Sequence, residues 1–88
     1  MDEKALKTAI KEIVDEIKPN TIFDSHYVIE KLFKEKNQIF LDNISEQELN
    51  QYDGTLANII RGMGYDKVGS SISKNLKGNY STCSCWKK

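Results

Sequence analysis

Leu6, Ala9, Ile10, Ile13, Val14 and Ile17 recur at the spacing that gathers apolar side chains on one face of a helix. Lys7, Lys11, Glu12, Asp15 and Glu16 fall on the opposite, solvated face. Pro19 biases the residue before it away from helical geometry, so the pattern predicts a first helix over about 3–17. A second begins near Asp24, whose carboxylate can accept from the unpaired backbone N–H groups of a first turn, with Phe23 placed to staple onto Val28. Val28, Ile29, Leu32 and Phe33 form its apolar face, and the polar run 34–38 ends it near Lys36. Thr21-Ile22-Phe23, β-branched and aromatic, reads as a short bridging strand between the two helices.

The segment 38–42 is an apolar connector, expected as a loop or a piece of 3₁₀ helix. Ser45 and Glu48 then fit a capping box, with Ile44 and Leu49 as its hydrophobic staple. Leu49, Tyr52, Leu56, Ile59, Ile60 and Met63 share one face of the helix that follows, and Gly64 suits its end. Gly54 costs about 1 kcal/mol relative to Ala inside a helix, so 45–63 is either one helix or two divided near 52–54. Beyond Gly64 the period changes. The runs 67–74 and 79–86 are rich in strand formers, and 75–79 between them carries turn chemistry, with Gly78 free to adopt positive φ. The pattern predicts an antiparallel hairpin that must lean on the helices, since two strands alone are marginal.

Eighty-eight residues leave room for a single domain spanning 1–88 with one modest core. With 39% hydrophobic and 30% charged residues and a formal net charge of zero, the composition is that of a folded globular chain rather than a disordered one. The zero conceals an asymmetry. Residues 1–60 hold 7 Lys against 12 Asp and Glu, a net of −5, whereas residues 61–88 hold 6 Lys and Arg against Asp66 alone, a net of +5. One basic end is a common feature of polyanion-binding proteins, although five charges also arise by chance. No apolar run follows the polar N-terminus and none approaches the ~18 residues needed to span a bilayer, so a cytoplasmic protein without a membrane role is expected.

Candidate chemistry is sparse. Cys83 and Cys85 lie two residues apart on the second hairpin strand, too close and too few for a disulfide framework. With His26 they make three of the four ligands a zinc site needs, so packing under the hairpin is the simpler role. Trp86 is either a lid on the core or an exposed partner anchor. Asp24-Ser25-His26 contains the residue types of a catalytic triad, but consecutive residues at a helix start point in different directions. Asp24 reads as a cap, Ser25 as a first-turn residue and His26 as a surface or hinge group. There is no phosphate-binding loop, dinucleotide fingerprint or paired carboxylate set, so neither enzyme activity, nor a cofactor, nor a small-molecule ligand is expected.

Helix, bridging strand, helix, helix and hairpin, in that order and over nearly the whole chain, resemble the winged-helix variant of the helix-turn-helix. The resemblance implies an α+β fold, a three-helix bundle with a C-terminal antiparallel wing. It also implies a third helix that enters the major groove of double-stranded DNA and a wing that contacts backbone or minor groove. The long connector at 37–44 departs from the usual tight turn. On the third helix Gln47, Asn50, Gln51, Gly54, Thr55, Asn58 and Arg61 lie away from the apolar face. Amides can pair with adenine, Arg with guanine, and Thr55 can meet a phosphate or a thymine methyl. Glu46, Glu48 and Asp53 would repel phosphate, and a neutral solvated face is the plain alternative. Lys67, Lys74, Lys77, Lys87 and Lys88 are expected around the wing, where they either neutralise phosphates or protect a sheet edge. A small DNA-binding regulator of transcription, gaining site length by pairing as a homodimer, is the leading expectation. A winged-helix module for protein–protein interaction is its rival.

Overall fold

A computed structural model describes the backbone of residues 3–43 and 49–88 and the side chains of residues 4–40 and 54–88. Among these, four helices and three strands follow one another as α1 (Glu3–Asp15), β1 (Ile22–Asp24), α2 (Ser25–Glu35), α3 (Asn37–Asn43), α4 (Leu49–Gly62), β2 (Lys67–Lys74) and β3 (Tyr80–Lys87). The fold is α+β: helices first, then a C-terminal hairpin that joins the short β1 in an antiparallel sheet of order β1-β3-β2.

The apolar stripe of α1 is wholly buried, as its spacing requires, and Ile17 just beyond the helix is buried with it. The helix stops at Asp15, earlier than the stripe suggests. Ile17 N–H turns back to the Val14 carbonyl at 3.0 Å, and Asn20 takes a left-handed φ of 66°. The carbonyls at this end are also reached from far along the chain. Lys88 Nζ donates to Val14 O, Asp15 O and Ile17 O at 2.8, 2.8 and 2.6 Å, a cation at the negative end of the helix. Lys88 was expected near the wing; it instead closes the end of α1, because the backbone of 88 pairs with Asn20 and Thr21 beside β1.

Asp24 caps α2 as its position predicts, Oδ1 accepting from Tyr27 N at 2.7 Å. Val28, Ile29 and Leu32 are buried, but Phe33 is 43% exposed, contrary to the expected apolar face. Its ring meets Phe40 edge-on at 5.2 Å, because the connector is a further α-helix rather than a loop or a piece of 3₁₀ helix. In α3, Phe40 is buried and Ile39 half-buried, so two turns suffice to add a second layer outside Leu32. Lys36 Nζ reaches Glu12 Oε2 at 2.5 Å and ties the end of α2 to α1.

The expected cap at 45–48 lies outside the described residues. α4 passes through Gly54 as one helix, burying Leu56, Ile59 and Ile60, and ends at Gly62, with Gly64 at φ 95° in the turn that follows. The hairpin turn is organised by Asn75, whose Oδ1 accepts from the backbone N–H groups of Lys77 and Asn79 at 2.9 and 3.2 Å, and by Gly78 at φ 83°. Trp86 is fully buried opposite Phe23, and the two are the sheet's contribution to the core cluster.

Candidate nucleic-acid interface

The side of α4 away from the core is polar. Gly54, Asn58 and Arg61 are exposed and Thr55 is half-buried, while Leu56, Ile59 and Ile60 face inward. Asn50 and Gln51 belong to the same helix, but their side chains, like all of Gln47, lie outside the described residues. Thr55, Asn58 and Gly62 form one wall of an open groove of about 450 Å³, with Met63 at its end. The other wall is α1, through Lys7, Thr8 and Lys11. Sequence reading placed these lysines on a merely solvated face. Their i, i+4 spacing is plain, but only the tertiary fold brings them across a groove from Thr55 and Asn58. Lys11 is paired with Asp15 at 2.9 Å, and that carboxylate raises the ammonium pKa above its ordinary value. Both lysines are exposed, and an ion pair so open to water is weak enough to exchange for a phosphate.

The C-terminal lysines divide into separate groups. Lys67 stands at the base of the hairpin, opposite Trp86 and five residues beyond the end of α4. Lys74 and Lys77 stand at the far end, after about 23 Å of extended strand. There Lys74 Nζ lies 5.7 Å from the centroid of the Tyr80 ring, its partner across the sheet. Lys87 is exposed opposite Ile22, and Lys88 is committed to α1. Asn58, Thr55, Lys7 and Lys11 therefore converge. Arg61 lies one turn along α4 from Asn58, Lys67 lies beyond the helix end, and Lys74 and Lys77 form a second basic point.

A different polar cluster joins the hairpin to the start of α2. His26, expected as a surface or hinge group, is 6% exposed. Its Nδ1 lies 2.7 Å from Ser73 Oγ on β2 and its Nε2 3.4 Å from Ser81 Oγ on β3, so one ring bridges both strands. Ser71 Oγ donates to Asp24 Oδ2 at 3.3 Å. Cys83 Sγ lies 3.7 and 3.8 Å from the hydroxyls of Ser71 and Ser73. Ser25 Oγ donates to Ser84 O at 3.4 Å and accepts from Trp86 Nε1 at 3.2 Å. The hydroxyls occupy both ring nitrogens of His26 and leave Asp24 to cap the helix. The cluster is thus arranged as a clasp, with Cys83 buried inside it as a free thiol and Cys85 half-buried. Among the described residues no group of three or more His, Cys, Asp or Glu is placed to hold a metal ion, and no helix is long and apolar enough to cross a membrane.

Set against protein-family models, curated proteins and solved structures, the chain matches none of them.

Proposed function

We propose that the chain is a winged-helix domain that binds double-stranded DNA, with α4 presented to the major groove and β2–β3 acting as the wing. The supporting observation is the exposed polar side of α4, Asn58 and Arg61 with Thr55 beside them, flanked across a groove by Lys7 and Lys11. A fold in which β1 sits between the first two helices and pairs with the last strand suits the reading, because the sheet then braces the hairpin alongside the helices. Lys7, Lys11 and Lys67 would neutralise phosphates around the helix, and Lys74 and Lys77 would do so one wing-length away. Asn58 and Arg61 carry the side-chain types that pair with adenine and guanine edges. A small regulator of transcription is the role this geometry fits. The testing experiment is titration of a labelled duplex at two salt concentrations. Binding that weakens steeply with salt supports the reading, and no binding at low salt removes it.

One observation favours a second reading, a module for protein–protein contact. Ile72 is 72% and Tyr80 69% exposed, and both lie on the hairpin face turned away from α2. Single exposed apolar residues are ordinary, but two neighbours on one sheet face are a contact-prone surface.

A further inference from the structure

The hairpin gives one face to the His26 clasp and leaves the other open. On the open face three cross-strand pairs follow one another: Ser70 opposite Ser84, Ile72 opposite Thr82 and Lys74 opposite Tyr80. Ser84 is half-buried and the other five are exposed. We propose that this face binds single-stranded, thymine-rich DNA, with the Tyr80 ring as the platform on which a base stacks.

Ile72 and Tyr80 by themselves would serve a protein contact as well, and the charge around them selects a polyanion. From Lys67 to Lys88 the chain carries five lysines and no acidic residue. Lys88 is engaged with α1, but Lys74 stands on the face itself, and Lys67 and Lys77 are exposed at the two ends of the hairpin. Asp24, whose carboxylate accepts from Ser71, lies under the opposite face. An exposed aromatic ring rimmed by cations is the combination that single-strand binders use, the cations following the backbone while the ring takes a base. Lys74 Nζ, 5.7 Å from the centroid of the Tyr80 ring, is placed to meet a phosphate beside a base stacked there. Bases in a duplex are already stacked on their neighbours and cost energy to extrude, so such a platform favours an unpaired strand. Ile72 lies diagonal to Tyr80 and opposite Thr82, an apolar step beside the ring that suits the thymine methyl, which uracil lacks. The proposal shares Lys74 and Lys77 with the duplex reading but uses neither Asn58 nor Arg61, so each can fail without the other.

Anisotropy titration of a short fluorescent oligothymidylate with the full chain at low salt tests it. Tyr80→Ala should weaken binding about tenfold, and Tyr80→Phe should not, because the ring stacks without its hydroxyl. Tyr80 is 69% exposed, so neither change disturbs the core, as circular dichroism checks. Ile72→Ala should erase the preference for oligothymidylate over oligodeoxyuridylate. Replacing Asn58 and Arg61 by alanine should leave oligothymidylate binding unchanged while weakening duplex binding. No binding at low salt overturns the proposal and leaves the face to a protein partner. Binding indifferent to Tyr80→Ala, binding lost with Asn58 and Arg61, or an oligouridylate RNA bound as tightly also overturns it.

Discussion

The indole N–H of Trp86 donates to the hydroxyl of Ser25 across 3.2 Å, joining the last strand to the first turn of α2 at the centre of the core. Trp86 is fully buried, so its bulk supplies apolar area while Ser25 removes the penalty of a buried donor. Trp86→Ala should cost about 3–5 kcal/mol. Ser25→Ala should cost about 1–3 kcal/mol, because it leaves the indole N–H without its acceptor. Urea unfolding followed by far-UV circular dichroism measures both.

Asp24 has two tasks, capping α2 with one oxygen and receiving Ser71 with the other. Asp24→Asn keeps an acceptor for the cap and should be nearly neutral for the helix. Asp24→Ala should lower stability by about 1–2 kcal/mol. The same unfolding curves separate the two variants.

Lys88 and Lys77 carry the same charge in different service. Lys88→Met should destabilise the fold by about 1 kcal/mol, because three carbonyls at and just beyond the end of α1 lose a cationic donor, although Val14 O keeps the Ile17 N–H. It should leave the salt dependence of DNA binding unchanged. Lys77→Met, at the exposed hairpin turn, should do the reverse: stability stays, and the slope of log K against log salt falls by about 1. A stability midpoint and a salt titration on each variant decide the matter.

On α4, Arg61→Ala should reduce affinity for a preferred duplex by about 1–3 kcal/mol and relax discrimination at one base pair. Lys7→Met, on α1, should weaken binding to all duplexes alike. Competition titrations with matched and mismatched duplexes distinguish the two patterns.

Much of the architecture could be read from local pattern. The α1 stripe, the Asp24 cap and the Asn75–Gly78 turn are each set by residues within a few positions of one another, so spacing alone reveals them. α3 was missed because its seven residues span two turns, too few for Ile39 and Phe40 to show a helical period. His26 was misjudged for another reason: its partners, Ser73 and Ser81, lie 47 and 55 residues downstream. Lys88 acts on carbonyls more than 70 residues away. Polar residues reveal their burial only when such distant partners are in view. For the candidate interface, the exposure of Asn58 and Arg61 on α4 was legible from periodicity, while the side chains of Gln47, Asn50 and Gln51 lie outside the described residues. The basic wall from Lys7 and Lys11 was not, since it depends on where the fold sets α1 relative to Thr55 and Asn58.

The most direct measurement is the equilibrium binding of a fluorescent duplex to the full chain at low and at physiological salt, compared with a variant in which Asn58 and Arg61 are both alanine. The account predicts measurable affinity that falls linearly on a log–log salt plot, with a weaker complex and the same fold in the variant. A duplex left unbound at low salt, or bound equally well by the variant, would contradict it.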